Sequence, residues 1–157
     1  MTYNCLIVDD EELAIDVIVN YNGFVDNLEI KGTCKNAVEA NNIIQNTHID
    51  LLFLDINMPV LSGMDFIKNL KDPPQVIFTT AYREYAVESY KLEALDYIVK
   101  PISFERFLQS VNKFLRTKKA DIVNIKSENP PLQSDYEKFI FVKSDKKMVK
   151  IFLEDIL

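Results

Sequence analysis

Two cysteines, three glycines and a single histidine in 157 residues leave several options closed. Cys5 and Cys34 are too few for a disulfide framework and make no metal site, and each sits in an apolar or extended stretch. They read as reduced core thiols. Three Gly and six Pro, with no bias toward Ser or Gln, exclude a collagenous or wholly disordered chain. No apolar run approaches the length of a membrane span, and the amino terminus lacks the basic and apolar segments of a signal peptide. A cytoplasmic chain without a membrane partner is therefore expected. A formal charge of -6 and a pI near 4.8 argue against coating nucleic acid or anionic lipid through the overall field. With 48% hydrophobic residues, the chain has the means to bury one sizeable core, about two-thirds of the surface it exposes when unfolded.

Five short strand-like runs alternate with helical stretches: Tyr3 to Val8, Leu28 to Thr33, Asp50 to Leu54, Gln75 to Thr79 and Leu95 to Val99. The first, third and fourth contain nearly continuous apolar runs, the pattern of strands covered on both faces. Between them, Glu11 and Glu12 open a helix with Leu13, Val17 and Ile18 at helical spacing, and Asn36 is placed to cap the helix of Val38, Ile43 and Ile44. Ser62 precedes Met64, Phe66, Ile67 and Leu70; a fourth helix spans about Arg83 to Leu92; Ser103 precedes Phe104, Phe107, Leu108, Val111, Phe114 and Leu115. Five β-α repeats imply an α/β fold, a doubly wound parallel sheet with right-handed crossovers.

The apolar period stops near Arg116. A domain over residues 1–117 is expected, then a polar linker over 118–135, then a candidate hairpin in 136–157 formed by Phe139 to Val142 and Met148 to Phe152. An isolated hairpin is marginal in water. Residues 1–117 carry a net charge of -7 and the remainder +1, so the two parts suit different electrostatic work.

In doubly wound sheets, ligands gather beyond the carboxyl ends of the strands. After the first strand come Asp9 and Asp10; after the third, Asp55; after the fourth, Thr79 and Thr80; after the fifth, Lys100 and Pro101. Two like charges about 4 Å apart repel by roughly 4 kcal/mol at an effective dielectric of 20. Three converging carboxylates therefore need a cation or shifted pKa values, and an oxygen-only set favours Mg²⁺ or Mn²⁺ over zinc. One acid after one strand is ordinarily a solvated loop residue or a helix cap. Acids after two strands, with a lysine after a third, would each have to reach that rim independently. His48 lies before the third strand, has no partner in sequence and receives no role.

The runs LIVDDEELA, LLFLDINMPVLSGMDF, VIFTTAY and ALDYIVKP resemble, in order and spacing over residues 1 to about 117, the four signature blocks of response-regulator receiver domains. The stretch AYREYAVESYKLEALDYIVKP is similar to receivers of the LytTR (LytR/AlgR) class, and YEKFIFVKSDKKMVKIFLEDIL to the start of that class's DNA-binding domain. The resemblance implies a flavodoxin-like sheet of order 2-1-3-4-5 and a two-component phosphoacceptor switch that assists its own phosphorylation and dephosphorylation. Asp55 would accept phosphate from a sensor histidine kinase. Mg²⁺ would be held by Asp10, Asp55 and the carbonyl of Asn57, with Asp9 acting mainly through water. Lys100, placed by a cis peptide to Pro101, would pair with the phosphoryl group, while Thr80 and Tyr97 would form the switch. Pro59 and Gly63 match the loop after the acceptor, where Gly is expected for its backbone freedom. A homodimer through helix four, strand five and helix five is expected, with DNA bound only by a longer parent protein. A haloacid-dehalogenase-like phosphatase would need an acid where Asn57 stands. A flavodoxin-like cofactor carrier would need a phosphate loop where Asp9 to Glu12 repel phosphate. A pure interaction module would leave the acidic pocket unexplained.

Overall fold

A computed structural model describes residues 1–126, 139–144 and 147–152, with side chains through 123. The elements are β1 (Tyr3–Val8), α1 (Glu12–Asn22), β2 (Leu28–Cys34), α2 (Ala37–Asn46), β3 (Leu51–Asp55), α3 (Gly63–Asn69) and β4 (Gln75–Thr80), then a 3₁₀ turn (Arg83–Tyr85) leading into α4 (Ala86–Lys91), β5 (Asp96–Val99) and α5 (Phe104–Lys126). Five parallel strands form one sheet in the order β2-β1-β3-β4-β5, as the alternation and the family resemblance imply. Strand position explains the sequence patterns. Central β3 is buried at every residue, while edge strand β2 alternates between buried and exposed positions.

Period two divides the core between the faces of the sheet. Leu6, Val8, Leu52, Leu54 and Phe78 point to the side covered by Ala37, Ala40, Met64, Phe66 and Ile67 of α2 and α3. Cys5, Ile7, Leu51, Phe53 and Ile77 point to the side covered by Ile15 and Ile18 of α1 and Phe107, Val111 and Phe114 of α5. Phe53 stacks on Phe107, and Tyr3 meets Phe114 edge-on. Full burial of each such phenylalanine contributes roughly 2–3 kcal/mol. Cys5 and Cys34 are free and buried, and burial pushes their thiols up to about 12 and about 11, with Glu39 adding to the second. Neither forms thiolate readily at neutral pH.

Asn36 caps α2 by accepting from Glu39 N at 2.9 Å, while Glu39 accepts from Lys35 N; Ser62 caps α3 through Asp65 N, and Ser103 Oγ accepts from Arg106 N at the start of α5. α5 does not stop near Arg116 but runs to Lys126, so the first part of the expected linker over 118–135 is helical. Residues 117–126 hold the helix without an apolar period because Lys and Ala are good helix formers. Contacts of Lys118 with the rings of Tyr3 and Phe114 and with Asp50 anchor the junction. Positions 127–135 lie outside the described residues. β6 (Phe139–Ser144) and β7 (Lys147–Phe152) form a separate antiparallel pair; their connection, at 145–146, also lies outside them.

Two residues other than glycine have positive φ. Glu93 (φ 57°) follows the end of α4, where Glu93 N donates to Tyr90 O and Ala94 N to Ser89 O, the pairing of a Schellman end that usually employs glycine. Val60 (φ 72°) is 99% exposed and is bridged by a hydrogen bond from Leu61 N to Pro59 O. A branched side chain there costs on the order of 1–3 kcal/mol. Val60→Gly should raise stability by about 1 kcal/mol after the entropy of the unfolded glycine is offset, because no packing is lost. Urea unfolding checks this; a lower midpoint would contradict the strain.

Candidate functional site

Parallel strands bring their carboxyl ends to one edge, where the sheet delivers the residues singled out above. Asp9 and Asp10 follow β1, Asp55 is the last residue of β3, Thr79 and Thr80 end β4, and Lys100 follows β5. The expected third strand shifts by one residue, placing Asp55 within the ladder opposite Thr79. This fixes its backbone on both sides: Ile56 N donates to Thr79 O, and Gly63 N to Ile56 O. Asp55 is only 3% exposed and Asp9 1%, whereas Asp10 and Asn57 are exposed.

Carboxylate oxygens of Asp9, Asp10, Glu11 and Asp55 lie within 4.8 Å of one another. Lys100 Nζ sits 2.8 Å from Asp9 Oδ2, 3.4 Å from Glu11 Oε1 and 3.5 Å from Asp55 Oδ2. Asp9 Oδ1 accepts from Glu11 N at 2.9 Å. Although the ammonium lies close to the buried Asp9 Oδ2, no aligned hydrogen bond reaches that oxygen. One ammonium pairs with three of these four acids. Glu11 was read from sequence only as an acid opening a helix, and its reach to Lys100 requires the tertiary fold. Its adjacency to Asp10 was the available signal.

Burial first, then the charge of Asp9 and a hydrogen bond and charge from Asp10, push the Asp55 carboxyl up to about 7 against the opposing pull of Lys100. Lys100 is held above its ordinary value: burial lowers it, but the close contact with the Asp9 carboxylate and the charges of Asp55, Asp9 and Glu11 outweigh that. Because Asp55 titrates higher folded than unfolded, its contribution to stability is fully present below about pH 4 and lost as pH rises through about 7. At about 1.4 kcal/mol per pKa unit, the metal-free fold should lose on the order of 4 kcal/mol over that interval from this group. Denaturant unfolding from pH 4 to 8 measures it. An identical profile in Asp55→Asn would contradict the assignment.

Thr79 and Thr80 are both buried. Thr80 Oγ1 accepts from Tyr82 N at 3.2 Å, and Lys100 N donates to Thr80 O at 2.7 Å. Tyr97 is half-buried, with its hydroxyl donating to Tyr82 O. The Lys100–Pro101 peptide is cis. Pro59 lies in the turn around Val60. Gly63 corrects the expectation from sequence. It has no positive φ; the left-handed residue in that loop is Val60. Its missing side chain is needed for space instead, since a Cβ would stand 2.2 Å from Asp55 O. His48 is highly exposed, pairs with Asp50 at 2.9 Å before β3, and is not part of the cluster.

Residues 5–112 match the family described as response regulator receiver domain. The chain belongs to that family. Receivers of this kind are phosphoacceptor switches of two-component signalling, phosphorylated by histidine kinases, and they bind Mg²⁺ at an acidic pocket. The acidic cluster here fits such an ion: its donors are all hard oxygens, and the buried Asp9 Oδ2 lacks an aligned donor. The receiver is 38% identical over 127 residues to the transcriptional regulatory protein BtsR of Salmonella typhi, covering 79% of this chain and 53% of that protein. It is 30% identical over 155 residues to the transcriptional regulatory protein LytR of Staphylococcus aureus, covering 97% and 63%. This chain thus spans between about half and two-thirds of those relatives. Among solved structures, the response regulatory domain of mrkE from Klebsiella pneumoniae superposes with a TM-score of 0.69 at 32% identity, covering 74% of this chain and 98% of that one. The receiver domain of AraT from Geobacillus stearothermophilus gives 0.67 at 26% identity, covering 77% and 99%. Among the described residues, no helix is long and apolar enough to cross a membrane.

Proposed function

We propose that Asp55 is the phosphoacceptor. An Asp55 carboxylate oxygen attacks the phosphorus of a kinase phosphohistidine, the P–N bond breaks with its electron pair passing to the imidazole, and an aspartyl phosphate results. The observation that carries this reading is the convergence of Asp9, Asp10, Glu11 and Asp55 around one ammonium, with Asp55 fixed at a strand end. Asp10, Asp55 and the carbonyl of Asn57 would hold Mg²⁺, with Asp9 in support. When bound, the ion supplies neutralisation of the phosphoryl oxygens and of the crowded acids. Lys100 moves from its carboxylate partners to a phosphoryl oxygen, and Thr80 offers its hydroxyl to another. These same groups assist attack and later hydrolysis.

Output runs through the face around β5. Tyr90 is 83% exposed, and Val87 and Tyr82 are also exposed, whereas Tyr85 packs against the core. Arg83, Glu84, Glu88 and Lys91 are exposed on and beside α4, and Lys113, Arg116 and Lys119 on α5. This mixture of apolar and oppositely charged side chains supports a self-complementary, two-fold pairing of copies through α4, β5 and α5. In a parent protein carrying a complete LytTR-type domain, such pairing would control DNA binding in a cytoplasmic transcription regulator. Incubation with Mg²⁺ and acetyl phosphate, followed by intact mass and sedimentation of one sample, tests both steps. A gain of one phosphoryl group and a shift toward dimer are expected. No mass gain overturns the acceptor; full modification of a persistent monomer overturns the dimer alone.

A further inference from the structure

One polar network lies away from the acidic cluster. Asp96, the first residue of β5, accepts from Ser110 Oγ of α5, from Arg106 Nη2 on both oxygens at 3.2 and 3.3 Å, and from Tyr97 N at 2.8 Å. Arg106 Nη2 also donates to Tyr97 O at 3.1 Å, and Arg106 Nη1 to Gln109 at 2.9 Å. Ser110 is fully buried. Burial would raise the Asp96 carboxyl, but its bonds from Ser110 and Tyr97 N and the charge and bond of Arg106 hold it below the ordinary value.

The geometry is specific to one residue. Asp96 binds the N–H of Tyr97 and Arg106 binds its C=O, so both polar groups of that residue are engaged by side chains of one ion pair. The Tyr97 hydroxyl bonds Tyr82 O, and Tyr82 N bonds Thr80 Oγ1. A continuous series of contacts therefore leads from the buried hydroxyl at the end of β4, through Tyr97, to α5. An ion pair half-exposed on the Arg106 side contributes little to stability on its own. Its position on the tyrosine peptide gives it a different use.

We infer that Asp96, Arg106 and Ser110 are positioning residues for Tyr97: they clamp its backbone to α5, so that its ring moves between two discrete positions about a fixed backbone. This rests on the switch that the family resemblance implies for Thr80 and Tyr97. Without the clamp, β5 shifts as the ring moves, and the two ring positions merge into a continuum. The guanidinium is required because Nη2 holds Asp96 and the Tyr97 carbonyl while Nη1, in the same plane, engages Gln109; an ammonium has one nitrogen where two are used.

The test uses the whole chain labelled with fluorotyrosine, the Tyr97 resonance being assigned by its loss in Tyr97→Phe. Spectra are taken with Mg²⁺ alone and with Mg²⁺ plus beryllofluoride as phosphoryl mimic. In the parent, the Tyr97 line should move between two sharp positions. In Arg106→Lys and Ser110→Ala, each checked for folding by thermal melt, it should be broadened or intermediate in both states, while intact mass after acetyl phosphate shows Asp55 still modified. A Tyr97 line in either folded variant that matches the parent in both states overturns the clamp alone. A parent line unmoved by beryllofluoride overturns the switch and the clamp with it.

Discussion

Asp55→Asn should abolish the phosphoryl mass gain completely while leaving the fold intact and, above pH 7, more stable than the parent. The amide preserves the shape of the side chain but cannot act as the nucleophile. The stability gain follows from the cluster, because the parent must ionise a buried carboxyl next to Asp9 and Asp10. Asparagine removes that charge, and Lys100 keeps Asp9 at 2.8 Å and Glu11 at 3.4 Å as partners. An increase on the order of 1–3 kcal/mol is expected from the displaced pKa, reduced by what Lys100 loses. Mass spectrometry and urea unfolding at pH 8 measure the two effects on one preparation. A variant that still gains a phosphoryl group would move the acceptor to another carboxylate, Asp10 being adjacent.

Gly63→Ala should damage the same site from the other side of the loop. The added methyl would lie 2.2 Å from Asp55 O, 3.0 Å from Leu54 Cγ and 3.1 Å from Asp55 C, and two of those atoms are backbone of the acceptor strand. Backbone held on both sides of the ladder cannot yield as a side-chain tip can, so a loss of about 3 kcal/mol is expected, with a marked fall in phosphorylation rate. Gly23→Ala is the control. Its nearest neighbour, Asn20 O, stands at 3.2 Å and its φ is -60°, so a change of less than about 1 kcal/mol is expected. Equal losses in the two variants would show that the acceptor strand can move after all.

Nearly continuous apolar runs in β1, β3 and β4 made the central strands legible in the sequence, and the acids after β1 and β3 marked the edge where they gather. Caps were legible for a local reason: Asn36, Ser62 and Ser103 bond amides three residues along. Features dependent on distant chain were not legible. The reach of α5 to Lys126 hides behind polar residues whose helical preference carries no apolar period. Glu11 joins the acids only because β5 brings Lys100 to it from 89 residues away. The need for glycine at 63 was not legible either, since its closeness to Asp55 O is a tertiary fact and Val60 gives no compositional warning of a left-handed backbone. The bonds of Arg106 to Asp96 and the Tyr97 carbonyl likewise form only when α5 folds back over β5.

The left-handed Glu93 at the end of α4 bears on how the fold divides its rigidity. α4 has six residues, buries only Ser89 among them, and closes with a side chain where glycine would be unstrained. Little apolar surface opposes its unwinding, and the strain at Glu93 is released by it. β3, by contrast, is buried throughout and cannot loosen unless the sheet does. The carboxyl end of the buried β3 and the surface of the short α4 are thus separated within one domain: Asp55 keeps its geometry while α4 can be reshaped by a modest difference in free energy.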